Sequence, residues 1–109
     1  MVPLNQSTMM IDLFRRWHIP LLLVARSGLG TLNHTMLSLE ALERRGVPTV
    51  GVVLVGDRHP ENERTLEEWS TVAIVGRIPH LQKIDRRALL EVYRREWMPT
   101  EEWLPVEVK

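Results

Sequence analysis

The chain has 109 residues, with fourteen basic and fourteen acidic side chains and no cysteine. That length suits one domain with one core, burying roughly two-thirds of the surface an unfolded chain exposes. Zero net charge and a pI near 6.9 exclude the basic footprint of a nucleic-acid binder, and the missing cysteines exclude disulfides and thiolate metal sites. The longest apolar stretch, Ile19 to Ala25, is far short of the roughly 20 residues of a membrane span, and the N-terminus lacks a signal pattern. The expectation is a soluble cytoplasmic protein with no nucleic-acid or membrane partner.

In chain order, "STMMIDLFRRW" predicts a helix with Met9, Met10, Leu13, Phe14 and Trp17 on one face, Ser7 or Thr8 as cap and Pro20 as stop. "PLLLVA" is a continuous apolar run, too short for a helix and without alternation. It reads as a central parallel strand covered on both faces. Leu32 to Arg45 reads as a helix, with Arg44 and Arg45 in its last turn and Gly46 as C-cap.

"TVGVVLV" predicts a second strand, "PENERTLEEW" a helix opened by proline and glutamates, and "VAIVG" a third strand. From Asp85 as N-cap, "RRALLEVYRREW" puts Ala88, Leu89, Val92, Tyr93 and Trp97 on one face, and Pro99 ends it. The predicted class is α/β, a parallel sheet with helices on both faces, because parallel neighbours need right-handed crossovers. Residues 1–97 form the domain and 98–109 a tail, whose two prolines and lone Trp103 leave docked and loose states both open.

The segment "RSGLGTLNHT", Arg26 to Thr35, joins the first strand to the second helix. In doubly wound sheets ligands sit beyond the carboxyl ends of strands, where helix N-termini present unpaired N–H groups. Gly28 and Gly30 permit a sharp turn and leave the amides of Thr31, Leu32 and Asn33 unobstructed, with the Thr31 hydroxyl and Asn33 side chain as further polar contacts. Such a site welcomes an anion. The pattern also fits a plain strand-to-helix turn capped by Thr31, and pattern alone leans that way. A triphosphate loop is excluded, because G-x-x-x-x-G-K-[ST] needs a lysine and the chain has only Lys83 and Lys109.

The stretch "LLLVARSGLGTLNHTMLSLEALERRGVPTVGVVL", with its G-T-x-N-H-[ST] turn after an apolar strand, resembles the carboxyl-terminal half of dethiobiotin synthetase. The likeness runs from "VPLN" to "GRIPHL". The family closes a ureido ring on 7,8-diaminopelargonate with carbon dioxide and ATP, in biotin biosynthesis. The resemblance implies a P-loop NTPase-like fold, here truncated, and a homodimer in which a neighbouring subunit's helix N-terminus holds the substrate carboxylate. By position, Gly30, Thr31, Leu32 and Asn33 are implied as those substrate-binding residues. Leu37 and Ala41, on a second apolar flank of that helix, suit a helix pressed between sheet and partner.

Val55, Gly56, Pro79, His80 and Leu81 are implied as the edge that meets the nucleotide base, although Val55 replaces the family's usual asparagine. ATP and Mg²⁺ are implied as cofactors. The family's lysine-bearing phosphate loop, its catalytic lysine and its acidic magnesium ligand in an E-G-A-G-G segment lie before "VPLN" and are absent here, so no catalytic residue and no metal ligand is assigned. The expectation is a polypeptide inactive alone, a truncated or split product whose "PLLLVA" edge lacks a neighbouring strand. The alternatives are a non-catalytic carboxylate-binding module and a nonfunctional remnant. The four histidines, His18, His34, His59 and His80, occur singly and suggest no metal site.

Overall fold

In the computed structural model, which describes residues 1–104, three parallel strands form one sheet. They are β1 (Leu21–Arg26), β2 (Thr49–Val55) and β3 (Ile74–Ile78), hydrogen-bonded in the order β1-β2-β3. The strand expected at the centre, "PLLLVA", is therefore an edge among the described residues. It is partnered on one side only, and Val24 is 60% exposed. The central position belongs to "TVGVVLV", whose Val52 and Val53 are sealed on both faces. The third strand starts two residues later than "VAIVG", because the Ser70 hydroxyl accepts from the Val72 amide at 3.0 Å and holds that approach in a turn.

Among the described residues five α-helices accompany the sheet: α1 (Met10–Trp17), α2 (Leu32–Arg44), α3 (Pro60–Trp69), α4 (Arg86–Glu96) and the short α5 (Thr100–Trp103). Helices α2 and α3 lie on one face, where Leu39 and Leu66 close over Val52, Leu54 and Ile74. Helix α4 lies on the other, with Val92 buried and Trp97 just beyond its end pressed on Gly76. Both faces thus carry helices, as α/β alternation requires.

Local chemistry sets the helix ends. Gly46, at φ +67°, closes α2 in a Schellman turn, with Gly46 N donating to Glu43 O at 3.0 Å and Val47 N to Leu42 O at 3.0 Å. Leu42 and Val47 then join Ile11 in a second small core. The Asp85 carboxylate accepts from the Ala88 amide at 2.8 Å and starts α4.

Two predicted helix faces are rotated. In α1 the buried residue is Ile11, while Met9 and Trp17 are exposed, because a helix of eight residues rests on Leu42 and Val47 through little more than Ile11 and Phe14. Its entry is organised by Asn5, whose side chain accepts the Ser7 and Thr8 amides at 2.9 Å, and by Asp12, which accepts the Met9 amide; Ser7 and Thr8 do not cap it. In α4 the stripe centres on Val92, leaving Leu89 and Tyr93 outward. Trp97 has left the helix in extended conformation.

Residues beyond Trp97 return along β3. Met98 N donates to Val75 O at 2.8 Å, and Trp97 bridges Gly76 antiparallel. Trp103 in α5 stacks near Trp97, ring centroids 6.3 Å apart, and donates its indole N–H to Met98 O at 3.1 Å. Residues 105–109 of the expected tail lie outside the described residues.

Candidate functional site

The carboxyl ends of all three strands are tied to one another. Ser27 N donates to Val55 O at 3.0 Å, Gly56 N donates to Ile78 O at 2.9 Å, and the Ser27 hydroxyl donates to Asp57 O at 2.5 Å. This brings the turn holding Gly30 to Asn33, the Val55–Gly56 strand end and the start of the Pro79–Leu81 turn to one end of the sheet. That is where open α/β folds place ligands.

A single 3-10 turn, Leu29–Thr31, leads from β1 into α2. The Thr31 hydroxyl points backwards, into the carbonyls of Arg26 at 2.5 Å and Gly28 at 2.6 Å. It pins the loop and does not cap the helix, so the first-turn amides of α2 have no side-chain partner. The simple capped turn with Thr31 as cap is therefore not what forms.

Gly28 and Gly30 also differ from expectation. Neither has a positive φ, and a Cβ built on either meets nothing within 4 Å. Their contribution is bare backbone rather than a sharp turn. Asn33 is exposed, half-buried Leu32 packs against the core, and Thr35 donates to Thr31 O at 2.8 Å from inside the fold.

At the base-side edge, Val55 is half-buried and brings only apolar surface, and Gly56, at φ +121°, has its amide committed to Ile78. A Cβ at Gly56 would lie 2.8 Å from the Ser27 hydroxyl oxygen. Pro79 and Leu81 are half-buried, and His80 is exposed.

Between these two regions lies a charge cluster that the sequence did not reveal. Glu63, in the first turn of α3, is 5% exposed and has both carboxylate oxygens occupied. Arg77 Nε binds one, and Arg58 binds the other through Nε at 3.3 Å and Nη2 at 3.2 Å. Arg77 reaches the α3 face because β3 carries an extra residue at Val75. Ile74 pairs with Val52 and Arg77 with Leu54, so both point the same way. Beside them the Asn62 Nδ2 is buried without a partner among the described residues. One glutamate and two arginines scattered over twenty residues carry no periodic signal, so only the fold could reveal the cluster.

The family model described as AAA domain matches residues 1–88. The chain belongs to the AAA domain family. Its α/β sheet is thus of the P-loop NTPase type. Curated proteins named ATP-dependent dethiobiotin synthetase are similar to it. The protein from Brucella anthropi is 49% identical over 96 residues, covering 88% of this chain and 45% of that protein. The one from Rhodopseudomonas palustris is 45% identical over 94 residues, 86% of this chain and 45% of that one. The one from Agrobacterium fabrum is 43% identical over 97 residues, 89% and 46%. The resemblance to dethiobiotin synthetase stands, and this AAA domain chain spans less than half the length of the curated relatives it matches.

Proposed function

We propose that these 109 residues are the carboxylate-gripping and base-facing portion of an ATP-dependent dethiobiotin synthetase. The substrate class is a long-chain diamino acid, 7,8-diaminopelargonate, whose ring closure with carbon dioxide uses ATP and Mg²⁺ in the cytoplasm. The single observation that carries this reading is the open N-terminus of α2. Its hydroxyl neighbour is turned away, its amides lack a side-chain cap, and two bare glycines leave the approach clear. Of Gly30, Thr31, Leu32 and Asn33, Thr31 has its own amide committed to Gly28 O at 3.1 Å and shapes the turn, so the carboxylate is met by backbone N–H groups of the others and by the Asn33 carboxamide. The half-exposed Leu37 on the flank of α2 suits a homodimer in which this grip serves the neighbouring subunit.

Val55, Gly56, Pro79, His80 and Leu81 form the edge offered to the nucleobase, which Val55 meets by contact alone. The triphosphate and magnesium do not fit these residues. Phosphoryl transfer needs cations on the phosphates. Yet Lys83 is exposed and lies beside Asp85, and the guanidiniums of Arg58 and Arg77 are held by Glu63. Among the described residues, no three His, Asp or Glu side chains converge on a possible metal position. No chemical step is assigned to this chain, and catalysis of ring closure is attributed to groups outside these residues.

A helix N-terminus contributes about 0.3–1 kcal/mol to an exposed anion, up to about 2 kcal/mol when partly buried, so binding to the 109 residues alone is weak. Calorimetry with 7,8-diaminopelargonate should give a saturable heat in the millimolar range. Gly30→Val should abolish it without lowering the melting temperature, since the added side chain projects into open space. Absence of heat with the unaltered chain, or unchanged affinity in Gly30→Val, contradicts the carboxylate grip.

A further inference from the structure

The outer side of β3 is closed by the segment that follows α4. Val75 O and Arg77 O both face away from β2, and both are taken. Met98 N donates to the first at 2.8 Å, and the Trp97 indole Nε1 donates to the second at 3.1 Å. Gly76 lies between them, and the indole occupies the space where a Cβ would stand. The ring is fixed in turn by Tyr93 and Trp103, with centroids 5.8 and 6.3 Å away, and Trp103 donates to Met98 O. On the opposite face of the sheet the Arg77 guanidinium is held by the buried Glu63.

Arg77 is thus anchored through both its carbonyl and its side chain, and it leads directly into the edge that meets the base. The next carbonyl, Ile78 O, accepts the Gly56 amide at 2.9 Å, and Pro79, His80 and Leu81 follow. The peptide plane between Arg77 and Ile78 is rigid, so a bond to Arg77 O fixes the tilt of that plane and with it the start of the turn. We infer, on the base-facing role proposed above for this edge, that Trp97 is a positioning residue for it. Acting through Arg77 O, it holds the Gly56–Ile78 bond and the Pro79–Leu81 turn in place. A packing role asks only for an aromatic ring over Gly76, whereas a positioning role asks for the indole N–H. The coupling is reciprocal, so a ligand that orders the edge strengthens the indole bond.

Amide exchange followed by NMR on the full 109-residue chain tests this, with the Val52 amide as internal reference. Val52 N donates to Ala73 O at 2.9 Å, at the other end of the β2–β3 pair. Trp97→Phe keeps a ring near Gly76 and deletes the donor. The Gly56 amide should then exchange about fivefold faster relative to Val52, the weight of one hydrogen bond, and the His80 and Leu81 amide resonances should move. Asp85→Ala, which loosens α4 at its other end, should leave that ratio unchanged. Gly76→Ala, whose methyl group displaces the indole, should reproduce the Trp97→Phe result and replaces that variant if it fails to fold. Adenosine titrated into the unaltered chain should shift the Gly56 and Leu81 amides together with the Trp97 indole N–H, and Trp97→Phe should bind it about fivefold more weakly. An unchanged Gly56-to-Val52 ratio in Trp97→Phe overturns the inference, as does an indole N–H that stays fixed while adenosine shifts the edge; Trp97 is then packing alone. Edge amides that ignore adenosine in the unaltered chain contradict the base-facing reading instead, and the exchange ratio alone then decides whether Trp97 sets this turn.

Discussion

Gly76 has no room for even a methyl group, since a Cβ there would overlap the indole of Trp97. That contact holds the end of α4 on the sheet and lets the Trp97 indole N–H reach Arg77 O at 3.1 Å. Gly76→Ala should therefore cost about 1–3 kcal/mol through overpacking, read as a lower melting temperature with altered tryptophan fluorescence. Glu63 is the other residue whose loss should be felt. Its carboxylate is buried and doubly bound, whereas Arg58 is largely exposed and Arg77 a quarter exposed, so both cations can regain water when it is removed. Glu63→Ala should cost about 1.5–3 kcal/mol, below the cost of orphaning a fully buried charge. Chemical denaturation of the two variants gives these values directly. A loss under about 0.5 kcal/mol for Glu63→Ala would mean that the cluster contributes little to the fold.

At the level of elements, helix ends decide more than helix interiors. Gly46 sits at φ +67° with nothing crowding it, so Gly46→Ala meets only the left-handed backbone penalty, about 1–2 kcal/mol. Asp85→Ala removes the one bond capping α4 and should cost about 1 kcal/mol, visible in urea titrations of the two variants as lower midpoints with unchanged slopes. Both ends were legible in the sequence because glycine after a run of helix formers, and aspartate before one, act through their own backbone neighbours. The strands were legible for the same reason, as unbroken apolar runs. The faces of α1 and α4 were not, because a stripe of period 3.6 with apolar residues on more than one side does not say which side meets the sheet. The rank of "PLLLVA" within the sheet was likewise hidden, since strand order depends on partners distant in the chain. In the site, the bare turn before α2 could be read from its glycines. The backward-turned Thr31 and the Arg58–Glu63–Arg77 cluster could not, as one depends on a rotamer and the other on the bulge at Val75.

For the molecule as a whole, a three-stranded parallel sheet is an unusual thing to leave with an open side. Among the described residues nothing pairs with the outer side of β1, and its unpaired N–H and C=O groups lie beside an exposed valine. Parallel strands rarely tolerate that exposure, because an uncovered apolar edge is a template for further strands. The run Leu21–Arg26 carries a single charge, at its last residue, and a chain of zero net charge has no long-range repulsion to keep edges apart near neutral pH. Val24→Lys places a cation at the middle of this edge, at a site already 60% exposed, so folding stability should change by no more than about 0.5 kcal/mol. Aggregation on heating should slow markedly, followed by light scattering at matched concentrations, because a second edge approaching β1 would have to bury that ammonium. If scattering is unchanged while the melt is preserved, the edge of β1 is not where the 109-residue chain aggregates, and the exposed face of α4 becomes the next site to charge.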